Sequence, residues 1–171
     1  MSPATLARVR AVAARYPSRR SAVLPALWAV QDQFGYLPSA AVAAVAEELE
    51  LVPSEVAAVS SFYSMYFSHK PGQHFVQVCR NVSCALRGAD GILAHLGRVL
   101  GVEDGATTAD GLFTLEGTVE CLGGCGGAPM MQVDRYSYED LTPDRCDNII
   151  AALRAAPPVE PGRDGGPGGR S

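Results

Sequence analysis

Residues 74–100 of this 171-residue chain read HFVQVCRNVSCALRGADGILAHLGRVL, and within them the period of the apolar residues changes. The first six, HFVQVC, alternate and are rich in β-branched and aromatic types, the pattern of a strand ending at Cys79. From 85 to 100, Ala89, Ile92, Leu93, Leu96, Val99 and Leu100 recur at helical spacing, and Gly101 is placed to close the helix. Downstream, 112–119 (LFTLEGTV) reads as a second strand with a glycine inside it, and 130–134 (MMQVD) as a short third. Thr142-Pro143 opens a final helix with Cys146, Ile149, Ile150 and Leu153 on one stripe. Strand, helix, strand, strand, helix is the order of a small sheet flanked by helices, an α/β arrangement.

Upstream, residues 1–67 read as helices. Ser21 is a candidate N-cap, with Leu24, Leu27, Trp28 and Phe34 after it on roughly one face and Gly35 at the end. Pro38-Ser39 opens a helix whose stripe is Val42, Val45, Ala46 and Leu49. Pro53 stands at another start, where its missing N–H does no harm, followed by Val56, Val59, Tyr63 and Tyr66. Lys70-Pro71-Gly72 is a turn signal and the internal boundary. The expected organisation is therefore α+β: a helical region over 1–70, an α/β domain over 71–156 and a tail over 157–171. That tail holds four prolines and five glycines in 15 residues, a composition that cannot bury a core.

At roughly 150 residues per domain, 171 residues allow one ordinary domain or two very small ones. Apolar residues make up 47%, enough for a core, which excludes global disorder. No uncharged stretch exceeds 14 residues, short of the roughly 18 a membrane helix needs, so no direct membrane insertion is expected. The net charge of −4 argues against a nucleic-acid partner. Residues 1–31 carry five arginines and no acid, a composition shared with mitochondrial presequences. Because Ser21 onward already reads as folded chain, those arginines are taken as the basic face of a first helix.

Five cysteines, with no secretory apolar region ahead of them, favour metal or redox chemistry over a disulfide scaffold. Four form two pairs: Cys79 and Cys84 (Cys-x4-Cys), and Cys121 and Cys125 (Cys-x3-Cys). Both pairs sit in loops at strand ends, so neighbouring strands would bring the four sulfurs to one edge of the sheet. Four thiolates suit a soft metal centre. A [2Fe–2S] cluster takes four cysteines, a structural zinc also accepts four, and spacing alone leaves both open beside unliganded thiols. In CLGGCGG (121–127) four glycines surround two cysteines, which lets amide N–H groups approach sulfur. Arg80 is a candidate neighbour for an anionic cluster. A thioredoxin-type dithiol would need Cys-x-x-Cys, which is absent here. Cys146, on the stripe of the last helix, reads as core. The three histidines match no ligand spacing, and there is neither a Walker loop nor a dinucleotide fingerprint.

The segments CRNVSCALRGADGIL (79–93), TTADGLFTLEGTVECLGGCGGAPMMQV (107–133) and YSYEDLTPD (136–144) resemble the E-subunit family of bacterial NADH:quinone oxidoreductase, respiratory complex I. AVLPALWAVQDQFGYLP (22–38) and VSSFYSMYFSHKPGQHFVQVC (59–79) resemble it too, so the likeness spans roughly residues 5 to 155. The resemblance implies an N-terminal helical bundle followed by a thioredoxin-like α/β [2Fe–2S] ferredoxin domain. It implies that Cys79, Cys84, Cys121 and Cys125 hold the cluster and that no residue of this chain is catalytic. It implies electron exchange with a flavin- and NADH-binding subunit, contact with other peripheral-arm subunits, and a cytoplasmic place at the inner face of the membrane. The same module recurs in NAD-linked hydrogenases and formate dehydrogenases; a zinc-stabilised interaction module is the alternative of another class, and a free-standing ferredoxin with no fixed complex is a third. Ala128-Pro129 precedes the third strand, where thioredoxin-like folds often place a cis proline; base rates alone favour trans.

Overall fold

The structure is a computed structural model that describes residues 1–155; the expectation for the 157–171 tail lies outside them. The chain divides into two compact units, Met1–Lys70 and a second that begins at Pro71.

The first unit has four helices: α1 (Pro3–Ala13), α2 (Val23–Phe34), α3 (Ser39–Glu48) and α4 (Pro53–Phe62). In α1 the Ser2 hydroxyl accepts from the Thr5 amide at 3.1 Å, and Pro3 fills the first turn without losing a donor. A 3₁₀ turn over Arg19–Ala22 precedes α2, so Ser21 lies inside that turn and does not cap the helix. Gly35 ends α2 in the left-handed region (φ 77°), its amide bonded to the Gln31 carbonyl. The buried face of α2 is Val23, Ala26, Leu27 and Val30, while Leu24, expected inward, is exposed. The α3 stripe packs as the spacing predicts, with Val45, Ala46 and Leu49 fully buried. The arginines of the basic start face acids of the same unit: Arg8 meets Asp32 at 2.8 Å, Arg10 forks onto Glu48 at 2.7 and 3.1 Å, and Arg20 bonds Glu55.

Helical spacing after Pro53 misleads beyond Phe62. Tyr63 is already extended (ψ 119°), and residues 63–67 are held as an irregular strap. Buried Gln31 pins it, donating to the Met65 carbonyl at 2.8 Å and accepting from the Phe67 amide at 2.9 Å. The Tyr66 hydroxyl reaches the Leu24 carbonyl at 2.8 Å while its ring packs against Trp28.

The second unit is built on a four-stranded sheet in the order β2-β1-β3-β4. β1 (His74–Cys79) and β2 (Phe113–Thr118) run parallel, in register from His74 opposite Phe113 to Cys79 opposite Thr118. A parallel pair needs a crossover, and α5 (Val82–Leu86) with α6 (Ala89–Leu100) supplies it. The single helix expected over 85–100 is thus two: Gly88 at φ 89° breaks the run, and the first piece starts at Val82 because Asn81 caps it. β3 (Met131–Val133) lies antiparallel to β1, and β4 (Tyr136–Tyr138), unread in the sequence because three residues show no period, pairs with β3. The Ala128–Pro129 bond ahead of β3 is cis, against the base-rate expectation. α7 (Pro143–Ala155) packs on α6. Val76, Val78, Phe113, Leu115, Leu96 and Ile150 form the buried centre; Val99, expected there, is exposed. A Cβ on Gly117 within β2 would fall 2.6 Å from the Leu93 side chain on α6 and 2.8 Å from that of Arg80, so those side chains would have to shift to admit one. Among the described residues no helix is long and apolar enough to cross a membrane.

Candidate metal centre

The parallel pairing of β1 and β2 places the site. Cys79 is the last residue of β1, and the ladder continues one step past it through the Arg80 amide and the Thr118 carbonyl at 2.8 Å. Asn81 does two jobs in the next turn. Its Oδ1 accepts from the Val82 amide at 2.9 Å and starts α5, while its Nδ2 donates to the Val119 carbonyl at 2.9 Å. The first cysteine loop is therefore tied to the chain leading into the second. The two loops leave the same ends of adjacent strands, and the four thiols meet there.

Cys79 and Cys84 are buried, while Cys121 and Cys125 are exposed, and none of the four is in a disulfide. The Cys121 and Cys125 sulfurs are 3.4 Å apart, close enough for one thiol to donate to the other. Cys79 Sγ donates to the Glu120 carbonyl at 3.7 Å, just before Cys121, and the Cys79 thiol bears on both Cys84 and Cys121. The environment of each sulfur differs. The Gly123 amide, then the neighbouring Cys125, pull the Cys121 thiol below its ordinary value. Cys125 is pushed up, first by that same hydrogen bond and then by the charge of Cys121, against a bond from Ser83 that lowers it. Burial raises Cys84, and the Met130 amide opposes it. The glycine loop thus supplies a sulfur-directed amide, as its composition suggests. The Met130 amide and the Ser83 hydroxyl have no sequence signal: each depends on a neighbour brought up by the fold.

The Arg80 guanidinium bonds Asp90 at 2.8 Å, with Asp104 at 4.0 Å, so its ion-pair partners are the acids of the crossover. Cys146 is fully buried in the core and its thiol is raised to about 11, by burial first. The histidines are apart from the site: His69 bonds Ser68, His95 bonds Asp147, and buried His74 bonds Asp134 at the far end of β1.

Among the described residues no three His, Cys, Asp or Glu side chains close around a single point as the ligands of one ion do. The thiols are arranged as two linked pairs from two loops. A [2Fe–2S] group takes two thiolates on each iron, and its charge is balanced by N–H and O–H donors to sulfur. Four free thiols, a glycine loop and three donors fit that group.

The model of the family "Thioredoxin-like [2Fe-2S] ferredoxin" matches residues 9–154. The chain is similar to an E subunit of the NADH-quinone oxidoreductase of Rhizobium meliloti, 43% identical over 148 residues that cover 86% of this chain and 88% of the relative. It is similar to "NADH-quinone oxidoreductase subunit 2" of Thermus thermophilus, 39% identical over 86% of this chain and 82% of the relative. The E subunit of the Mycobacterium tuberculosis NADH-quinone oxidoreductase is 39% identical over 94% of this chain, which spans 65% of that longer relative. Among solved structures, an NAD+-reducing [NiFe]-hydrogenase in the H2-reduced state aligns over 80% of this chain with a TM-score of 0.69 and 26% identity, and this chain spans 22% of the hydrogenase chain.

Proposed function

Because the chain belongs to the thioredoxin-like [2Fe–2S] ferredoxin family, we propose that it is the electron-transfer subunit of an NADH:quinone oxidoreductase, with Cys79, Cys84, Cys121 and Cys125 as the cluster ligands. One observation carries the reading: four free thiols from two loops at matching ends of two parallel strands, with the Cys121 and Cys125 sulfurs 3.4 Å apart. The cluster, when bound, supplies one-electron redox chemistry. The chain's own residues do the rest. Four thiols bind the irons. The Gly123 and Met130 amides and the Ser83 hydroxyl hold negative charge at sulfur. Apolar side chains keep water from one side, since Cys79 and Cys84 are buried against the core.

The partner of this reading is a flavin- and NADH-binding subunit. Val82 and Leu86 on α5 and Val119 after β2 are 66%, 83% and 72% exposed beside the cysteine loops, an apolar rim suited to burial against a protein. The whole would work at the cytoplasmic face of the membrane, within a complex whose membrane contact lies in other chains. Likeness to the NAD+-reducing hydrogenase supports a second reading, the equivalent subunit of such an enzyme.

Purified chain reconstituted with iron and sulfide is expected to hold two irons and two acid-labile sulfides, to absorb in the visible, and to give an EPR signal on one-electron reduction. Bound zinc without labile sulfide overturns the reading. Recovery with an NADH-oxidising flavoprotein from the native organism supports the assigned complex, and hydrogenase subunits in its place support the second reading.

A further inference from the structure

Three consecutive carbonyls lead the chain from β2 toward Cys121, and donors of the first cysteine segment take all three. The Thr118 carbonyl accepts from the Arg80 amide at 2.8 Å, the Val119 carbonyl from Asn81 Nδ2 at 2.9 Å, and the Glu120 carbonyl from Cys79 Sγ at 3.7 Å. The first continues the main-chain ladder one step past Cys79. The second is a rung made by a side chain after the main-chain ladder has ended. The third depends on the Cys79 thiol proton, and a cysteine that holds a metal does so as thiolate, with no proton to donate. Of the two bonds beyond the ladder, only that of Asn81 is compatible with Cys79 as a ligand. The same side chain accepts from the Val82 amide at 2.9 Å and so starts α5, which carries Cys84. A side-chain amide meets both demands, because its oxygen accepts and its nitrogen donates. A carboxylate only accepts, and a serine hydroxyl caps a helix from one bond closer to its own backbone.

We propose that Asn81 is a positioning residue of the cluster site: by bonding Val82 and Val119 at once, it holds Cys79 and Cys84 at ligand spacing from Cys121 and Cys125 while the cluster is bound. The proposal rests on the four-cysteine ligand reading and adds to it the side chain that keeps the two segments together. Each ligand thiol exchanges its proton, released to water, for a bond to iron; no covalent bond to Asn81 forms or breaks.

The full chain with reconstituted cluster, in wild-type form and as Asn81→Asp, Asn81→Ser and Cys146→Ser, is mixed with EDTA, and loss of iron is followed by the fall in visible absorption. The EPR spectrum of the dithionite-reduced cluster and the melting temperature of the cluster-free chain are measured beside it. Aspartate and serine both cap helices, so the two Asn81 variants keep the start of α5 and lose the bond to Val119. Both are expected to melt no lower than Cys146→Ser and yet to release iron about tenfold faster than wild type, ~1.4 kcal/mol and the order of one hydrogen bond. Their EPR lines are expected to broaden, since the two segments no longer keep one separation. Cys146→Ser, which weakens the same unit without touching either bond, is expected to show the wild-type rate and unchanged lines. Faster release in Asn81→Asp alone traces to the added charge and overturns the proposal. So do wild-type release or unbroadened lines in both Asn81 variants, and equally fast release in Cys146→Ser. If an Asn81 variant assembles no cluster, its melting temperature decides: at or above that of Cys146→Ser the loss supports the proposal, and below it the residue serves folding and the proposal falls. A wild-type chain that assembles no cluster overturns the ligand reading along with it.

Discussion

The five cysteines show how far a residue's type underdetermines its role. Cys146 and Cys84 are both buried. Cys84 is affected by other thiols and the Met130 amide, whereas Cys146 is buried in the apolar core with Ile150 and Leu153. Cys121→Ser is expected to abolish most cluster assembly, measured as iron and sulfide per chain. Cys146→Ser is expected to leave assembly intact and to cost about 1–3 kcal/mol in urea unfolding, because it buries a hydroxyl among apolar groups. Equal loss of iron in both variants would show that the ligand set is wrong. Cys146 also makes a pH prediction. Its thiol titrates at about 11 in the folded chain, raised by burial and then by Asp147, against about 8.5 in an unfolded one. Between those values the unfolded chain has lost its proton while the folded chain keeps it. This contribution to stability is therefore full below about pH 8.5 and is lost as pH rises toward 11. Wild-type protein is expected to lose about 3 kcal/mol more than Cys146→Ala between pH 8 and 11, since each tenfold difference in proton affinity is worth about 1.4 kcal/mol. Parallel losses in the two would exclude Cys146 as the source.

At the scale of elements, what the sequence makes legible follows from how local the cause is. β1 is read to the residue, since six alternating side chains carry their own period. The α3 stripe and the start of α4 at Pro53 are likewise local facts. Three features are not. Nothing in the order of types tells that Tyr63 leaves the helix, because the cause is Gln31, over thirty residues away, holding 65–67 by two hydrogen bonds. β4 exists because β3 offers it an edge. The break at Gly88 is hidden by a spacing that helix periodicity tolerates, although its φ of 89° makes it a boundary. The cysteine pairing was legible for the same reason as β1, as was the amide of the glycine loop, whereas the Met130 amide on Cys84 was not, because it belongs to another segment. Gly88→Ala tests the break. A Cβ there meets no atom within 4 Å, so any cost is backbone strain alone, expected at about 1–2 kcal/mol in urea unfolding. Gln31→Ala is expected to cost more, about 2–4 kcal/mol, since it strands two main-chain groups at once. A neutral Gln31→Ala would mean that the strap is held by Tyr66 and not by Gln31.

For the whole molecule, the proposed function asks how two buried thiols and two exposed ones would serve electron transfer to another protein. Cys79 and Cys84 face the core, and Cys121 and Cys125 face outward, so the site is screened on one side and open on the other. On the proposed function electrons leave by the open side, beside the exposed apolar residues Val82, Leu86 and Val119. Contact with a partner there would exclude water from the exposed pair, and exclusion of water alters a cluster's potential as hydrogen bonds do. Under that proposal docking and tuning are coupled: a partner would complete the environment that the amides begin. Leu86 separates this from a folding effect, because it is 83% exposed and its removal leaves no cavity. Leu86→Glu is expected to keep wild-type iron, sulfide and thermal stability. Its dissociation constant for the purified flavin- and NADH-binding subunit is expected to rise at least tenfold, about 1.4 kcal/mol of binding free energy. Titration calorimetry with the reconstituted chain measures it. An unchanged affinity would remove α5 from the docking face and leave the open side of the site facing solvent in the complex.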